Sequence, residues 1–215
     1  MTQLKDDTRL ERRSMEVREL RTKDDGKIAG YASVFNEETV IGGMFREVIK
    51  PGAFTRAIKE GDDVRALWNH DPNYVLGRTK SGTLTLNEDR KGLWIEIDPP
   101  NTQFAHDLME SISRGDVDSM SFAFTADDEA WNEKKDELPL REIKATTLYD
   151  ISAVTYPAYE GTSVGLRSAE SIYQDHINSL DVQGDTGEED DAERSKQVLD
   201  RARAIVTVAK LKTRK

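Results

Sequence analysis

A hydroxyl, an imidazole and a carboxylate, each on or beside a strand-like stretch, are the groups in this chain with the means to do chemistry. The hydroxyl comes from Val117–Thr125, V-D-S-M-S-F-A-F-T, which alternates with the two-residue period of a β-strand. Met120, Phe122 and Phe124 point one way together with Asp118, and Val117, Ser119, Ser121, Ala123 and Thr125 point the other. The aromatic side is expected to bury itself. The small side is expected to leave a serine hydroxyl over an uncrowded surface that a substrate backbone can approach, although the same pattern suits a tightly packed sheet interface.

A serine hydroxyl is a weak nucleophile until an imidazole takes its proton, and the imidazole works best when a third group orients it. The chain has three histidines. His106 lies on a helical stretch and His176 near the tail, and both read as surface or edge residues. His70 differs, because it ends the strand-like Val64–Asn69 just before a proline-containing turn, and strand ends are where rigid scaffolds present reactive groups. Asp150, inside L-Y-D-I-S-A-V-T, is the best carboxylate, since an acid in so apolar a run needs a partner if it is buried. Strand alternation puts Ser119 and Ser121 on one face, so the spacing does not choose between them.

Other chemistries fare worse. No two histidines have metal-ligand spacing and there is no H-E-x-x-H, so no metal site is expected. The chain has no cysteine, which removes disulfides, a thiol nucleophile and cysteine-based zinc sites. Asp185-Thr186-Gly187 matches an aspartic-protease signature but sits in an acidic, low-complexity stretch instead of between apolar strands. Gly161 and Gly165 have no phosphate-binding spacing, and no cofactor is expected.

The elements that must position these groups are short. Met15–Arg21 and Lys27–Phe35 flank Asp24-Asp25-Gly26 and read as a hairpin. A-F-T-R-A-I-K-E after Pro51-Gly52 has helical spacing. Val64–Asn69 is a strand, and Thr83–Leu86 with Leu93–Ile97 forms a second hairpin. Thr102–Arg114 carries one apolar stripe and meets Gly115 at the expected C-cap. Asp127–Glu137 reads as a polar insert, and Leu140–Thr155 as returning strand. This is the pattern of an α+β, mostly β domain, for which a barrel is one of the arrangements open. Four segments follow: a leader at 1–13, a folded domain at 14–167, an acidic linker at 168–193 and a basic amphipathic helix at 194–215.

Composition narrows the partners. At 215 residues with a net charge of −10, the chain lacks the basic footprint of a nucleic-acid binder. Mean hydropathy is −0.69, and no apolar run approaches membrane or signal-peptide length, so a soluble intracellular protein is expected. Asp181–Glu193 carries seven acids and no base, whereas Arg194–Lys215 carries eight bases and one acid.

Five blocks in order then carry a resemblance: G-Y-A-S-V-F-N, F-R-E-V-I-K-P-G-A-F, A-L-W-N-H-D with L-G-R-T, D-S-M-S-F-A-F and L-Y-D-I-S-A-V-T-Y-P-A-Y. Together they resemble the prohead (capsid maturation) proteases of tailed phages over about Met15–Arg167. That family is similar in fold to the herpesvirus maturation proteases. The resemblance implies a closed β-barrel with surrounding helices, a serine nucleophile and a histidine base. On the matching blocks it makes His70 the general base, Ser121 the nucleophile and Asp150 the orienting residue. Ser119 and Ala123 stand where the family more often shows glycine, which keeps Ser119 as the alternative hydroxyl. The herpesvirus enzymes use a second histidine as orienter, a role that His106 or His176 would have to fill here. Oxyanion donors are expected among backbone N–H groups or an arginine.

The resemblance further implies a serine endopeptidase in the host cytoplasm, inside the immature capsid. It would cut the scaffold region of the major capsid protein and then itself, with a homodimer possible by analogy. The tail would tether it to scaffold or shell. The competing reading keeps the same fold as a catalytically inactive assembly module.

Overall fold

Turn residues punctuate this chain where the sequence places them, but the strands between them find partners that local pattern does not reveal. The computed structural model describes residues 10–16, 19–134, 137–156 and 163–183. The chain divides into two compact units. One comprises residues up to Glu37, Ile49–Ala130 and Ile143–Ala158, and the other Glu38–Val48, Trp131–Glu142 and the chain from Tyr159 on.

In the first unit, β1 (Glu11–Glu16) is followed by β2 (Arg21–Thr22), which turns through Asp24–Gly26 into β3 (Ile28–Val34). The expected first hairpin therefore forms, but only Arg21 and Thr22 belong to its first arm, opposite Ala29 and Ile28. Past β4 (Thr39–Ile41) and β5 (Phe45–Ile49), α1 (Thr55–Glu60) starts after the Pro51-Gly52 break. Glu88 anchors its N-terminus by accepting from Gly52 N–H (2.5 Å), Phe54 N–H (3.2 Å) and Thr55 Oγ1 (3.1 Å). Strands β6 (Arg65–Trp68) and β7 (Asp71–Arg78) form a hairpin, as do β8 (Leu84–Glu88) and β9 (Gly92–Ile97). Helix α2 (Gln103–Arg114) ends at Gly115, whose φ of 80° is the left-handed conformation a C-cap requires. It leads into β10 (Ser119–Asn132), which is followed by β11 (Leu140–Val154).

Strand β10 runs through residues expected to form a polar insert. Asp127 stays in extended chain because Thr147 Oγ1 (2.8 Å) and Arg56 Nη2 (3.2 Å) meet its carboxylate.

Within the first unit the strands run β1-β10-β11-β6-β7 in one sheet and β2-β3-β9-β8 in the other. Ile28, Leu93, Ile95 and Ile97 of the second sheet share one core with Met120, Phe122, Phe124 and Ile151 of the first, and Ala105, Leu108 and Ile112 of α2 pack into it. Each large side chain there contributes about 1.5–3 kcal/mol by burial. The expectation of a closed barrel is corrected. Among the described residues neither sheet closes on itself, since β1, β7, β2 and β8 each pair on one side only. Strand β11 is the point of divergence, because it takes β6 as a parallel neighbour along Asp150–Ala153, and β6 passes only to the bulged, proline-bearing β7.

The β6–β7 hairpin matters most, because His70 lies at its turn. Arg65 and Arg78 stand directly opposite each other across it, an arrangement that repels. Asp63 offsets this by accepting from Arg78 Nε and Nη2, both at 2.6 Å, with Arg65 at 3.4 Å and Lys80 at 3.7 Å. Arg78's hydrogen bonds and the surrounding positive charge hold the Asp63 carboxyl at about 2, down from 3.8. A depressed folded-state value stabilises the fold above the unfolded pKa, and that contribution is lost as pH falls toward 2. Asp63→Asn is accordingly expected to lower the unfolding midpoint at pH 6 and to flatten its decline between pH 5 and 2. Urea titrations at a series of pH values would measure both.

In the second unit, the β4–β5 hairpin and α3 (Ser163–Gln183) form a separate cluster. Ile41, Met44 and Phe45 pack with Ala169, Tyr173 and Ile177, and Trp131 lies against them. The four-residue spacing of those α3 side chains makes helix where charge pattern suggests linker. A buried ion pair, Arg141 Nη1 to Glu47 Oε2 at 2.9 Å, adds to the unit. The residues from 184 on, including Asp185-Thr186-Gly187 and the expected basic helix, lie outside the described residues, as do residues 1–9 of the expected leader. Strand β1 begins within the last part of that leader.

Candidate active site

Ser121 is held by the strand that carries it. Phe122 and Phe124 lock the other face of β10 into the core through an edge contact of Phe122 with Phe54 (5.6 Å) and its packing on Phe124 (5.1 Å). With those rings fixed, alternation turns Ser119, Ser121 and Ala123 to the opposite face. That face is buried too, with Ser121 only 1% exposed, so the expected uncrowded surface is not there. On the edge strand, Ser14 lies opposite Ser121, and its buried Oγ makes no hydrogen bond among the described residues.

Strand β11 supplies the carboxylate. Asp150 and Ser152, two residues apart, share one face, and their strand runs parallel to β6 with Asp150 opposite Arg65 and Ala153 opposite Trp68. The chain leaves β6 through Asn69 and His70, both in the left-handed region at φ 54° and 56°. Asn tolerates that conformation, whereas for His it is strained and needs support. The support comes from β11 and the residue beyond it. Asn69 N–H donates to Ala153 O (2.9 Å), Thr155 N–H to Asn69 Oδ1 (2.9 Å), and His70 N–H to Ser152 Oγ (3.2 Å).

The consequence is a chain of three functional groups. His70 Nδ1 lies 2.5 Å from Asp150 Oδ1, and His70 Nε2 lies 2.7 Å from Ser121 Oγ. A carboxylate only accepts, so the imidazole proton belongs on Nδ1 and Nε2 is left free to accept from Ser121. The His70 and Asp150 side chains are 15% and 14% exposed, which leaves the imidazole–carboxylate contact largely shielded from water.

The alternatives left open by spacing now separate. Ser119 Oγ donates to Asp118 Oδ1 at 2.9 Å, not to an imidazole. His106 Nε2 pairs with Asn101 Oδ1 at 2.8 Å on the exposed side of α2. His176 Nε2 meets Glu133 Oε1 at 2.9 Å, its ring stacked on Trp131 at 4.1 Å. Asp150, not a second histidine, is what faces His70 Nδ1. Ser152 is not singled out by sequence reasoning, and its available signal is the alternation that puts it on Asp150's face. Asn69 is the other omission, where an Asn before a proline turn hints at left-handed backbone.

Among the described residues no group of three or more His, Asp or Glu side chains could hold a metal ion, and no helix is long and apolar enough to cross a membrane.

The comparison with curated proteins finds no match. Among solved structures, the bacteriophage T4 capsid assembly protease gp21 is similar at 10% identity with a TM-score of 0.42, covering 68% of this chain and 97% of that one. The model of the family described as Caudovirus prohead serine protease matches residues 13–175, which is most of the chain and includes His70, Ser121 and Asp150. This chain belongs to the caudovirus prohead serine protease family.

Proposed function

We propose that this protease is the capsid-maturation endopeptidase of its phage, with Ser121 as nucleophile, His70 as general base and Asp150 as the residue that orients the imidazole. Its substrates are the scaffold region of the major capsid protein and its own chain, and it acts inside the prohead in the host. The observation that carries the mechanism is the run from Ser121 Oγ to His70 Nε2 (2.7 Å) and from His70 Nδ1 to Asp150 Oδ1 (2.5 Å).

The geometry performs peptide hydrolysis in two transfers. Ser121 Oγ attacks the scissile carbonyl carbon while its proton passes to His70 Nε2. Asp150 holds Nδ1–H and stabilises the imidazolium so formed. When the tetrahedral intermediate collapses, His70 returns that proton to the leaving amine. Water then enters, and the same base activates it against the acyl-enzyme. Base catalysis of this kind supplies about 10²–10⁴-fold, and fixed positioning of the groups adds to it. No cofactor is needed at any step.

Co-expression with the major capsid protein of the same phage tests this reading. Intact-mass measurement of the assembled particles is expected to show a shortened capsid protein and a shortened protease. Full-length masses for both would leave an inactive assembly module on this fold.

A further inference from the structure

Ser152 is fully buried, and among the described residues its hydroxyl makes its hydrogen bonds and polar contacts with His70 and Asp150 of the candidate active site. Its single proton goes to Asp150 Oδ1 at 2.9 Å. Its oxygen accepts from the backbone N–H of His70 at 3.2 Å and lies 3.2 Å from His70 Nδ1. One side chain thus touches the orienting carboxylate, the base's ring and the base's strained backbone. We infer that Ser152 is a positioning residue for peptide hydrolysis, fixing the Asp150 carboxylate and the left-handed backbone of His70 so that Nε2 faces Ser121. This inference rests on the reading of His70, Ser121 and Asp150 as catalytic residues.

The physical need is specific. Asp150 Oδ1 takes two hydrogen bonds, from His70 Nδ1 and from Ser152, and the second fixes the carboxylate's rotation about its own side chain. Without it the carboxylate can turn its other oxygen toward Nδ1, and the ring follows. His70 at φ 56° lies where a β-carbon is disfavoured, and its N–H would be left in a poorly hydrated site without an acceptor. Misplacement of reacting groups by an ångström costs on the order of 10²-fold in rate.

A fluorophosphonate probe reports the nucleophile without a known cleavage site. Ser121 Oγ bonds to phosphorus, fluoride leaves, and His70 accepts the hydroxyl proton. Full-length wild type, Ser152→Ala, Ser152→Thr and Ser121→Ala would be labelled and followed by intact mass. In parallel, the Nδ1–H resonance of His70 would be read by NMR on histidine-labelled protein and assigned with His70→Gln. Ser152→Ala is expected to label roughly tenfold to hundredfold more slowly, with its His70 Nδ1–H resonance shifted and broadened. Ser152→Thr, which keeps the hydroxyl, is expected to recover most of the rate and the wild-type resonance. A structural role alone would not require the hydroxyl to restore the resonance.

Wild-type labelling by Ser152→Ala, or an unchanged resonance, overturns the inference. If wild type itself fails to label, the nucleophile assignment falls, and the resonance comparison still decides whether Ser152 positions His70. Should Ser152→Ala not fold, Ser152→Cys replaces it, since a thiol fills the site but donates weakly. Wild-type rate and resonance in that variant would equally overturn the inference.

Discussion

Ser121→Ala is expected to leave both the capsid protein and the protease at full length, while Ser119→Ala cuts both at close to the wild-type rate. The two hydroxyls share a face of β10, yet they are about 7 Å apart along the strand. Only Ser121 Oγ lies within hydrogen-bond distance of His70 Nε2, at 2.7 Å, whereas Ser119 donates to Asp118. Removing the nucleophile of a serine protease costs on the order of 10⁶-fold in turnover, because the base and its orienter have nothing left to activate. On the timescale of capsid assembly that reads as no cleavage. The control is stability. Ser121→Ala deletes one buried oxygen and one hydrogen bond, worth about 1 kcal/mol, so the variant should fold. Intact mass and thermal unfolding of the three proteins settle the matter, and cleavage by Ser121→Ala would remove Ser121 from the mechanism.

Much of the site is legible from sequence, because residue type and strand period are local properties. Ser119 and Ser121 on one face of a two-faced strand, His70 at a strand end and Asp150 in an apolar run all follow from short windows, and only the family resemblance chooses Ser121 over Ser119. What brings them together does not. The parallel pairing of β6 with β11 joins residues more than 80 apart in the chain and leaves no local trace. The left-handed backbone at Asn69 and His70, which aims the imidazole, is set by acceptors and donors on β11 and Thr155. Ser152 escapes notice for the same reason, since a small polar residue in a buried strand has no signature until its partners are known.

The fold divides along the same line. Both hairpins, α1 and α2 sit where turn residues and apolar stripes predict them, while the pairing of β1 with β10 splits an expected continuous strand. The barrel fails because closure is a property of the whole strand order. Alternation on β10 is right about which side chains share a face and wrong about exposure. Period 2 reports direction only, and part of what covers Ser121 is the His70 ring itself.

Asp150→Asn is expected to slow cleavage about 10³–10⁴-fold while leaving the fold in place. The reason is a proton's location. In the wild-type chain the carboxylate can only accept, and at 2.5 Å from Nδ1 it fixes the imidazole proton there, so Nε2 presents a lone pair to Ser121. An asparagine amide fits the same space in two orientations, and the Ser152 hydroxyl, which donates to Oδ1, favours the one with oxygen there. If its oxygen keeps the Ser152 hydrogen bond and faces Nδ1, the tautomer survives but the imidazolium loses its counter-charge. If its NH₂ faces Nδ1, that nitrogen must accept, the proton moves to Nε2, and the imidazole meets Ser121 with a donor instead of a base. Both outcomes slow the attack, the second more severely. Because the amide matches the carboxylate in shape, little packing is lost, and a thermal midpoint near that of wild type is expected. Single-turnover cleavage of the capsid protein, with fluorophosphonate labelling as a substrate-independent check, measures the loss. A rate within tenfold of wild type would mean that the carboxylate does not set the tautomer, and the orienting role would pass from Asp150 to Ser152, whose Oγ lies 3.2 Å from His70 Nδ1.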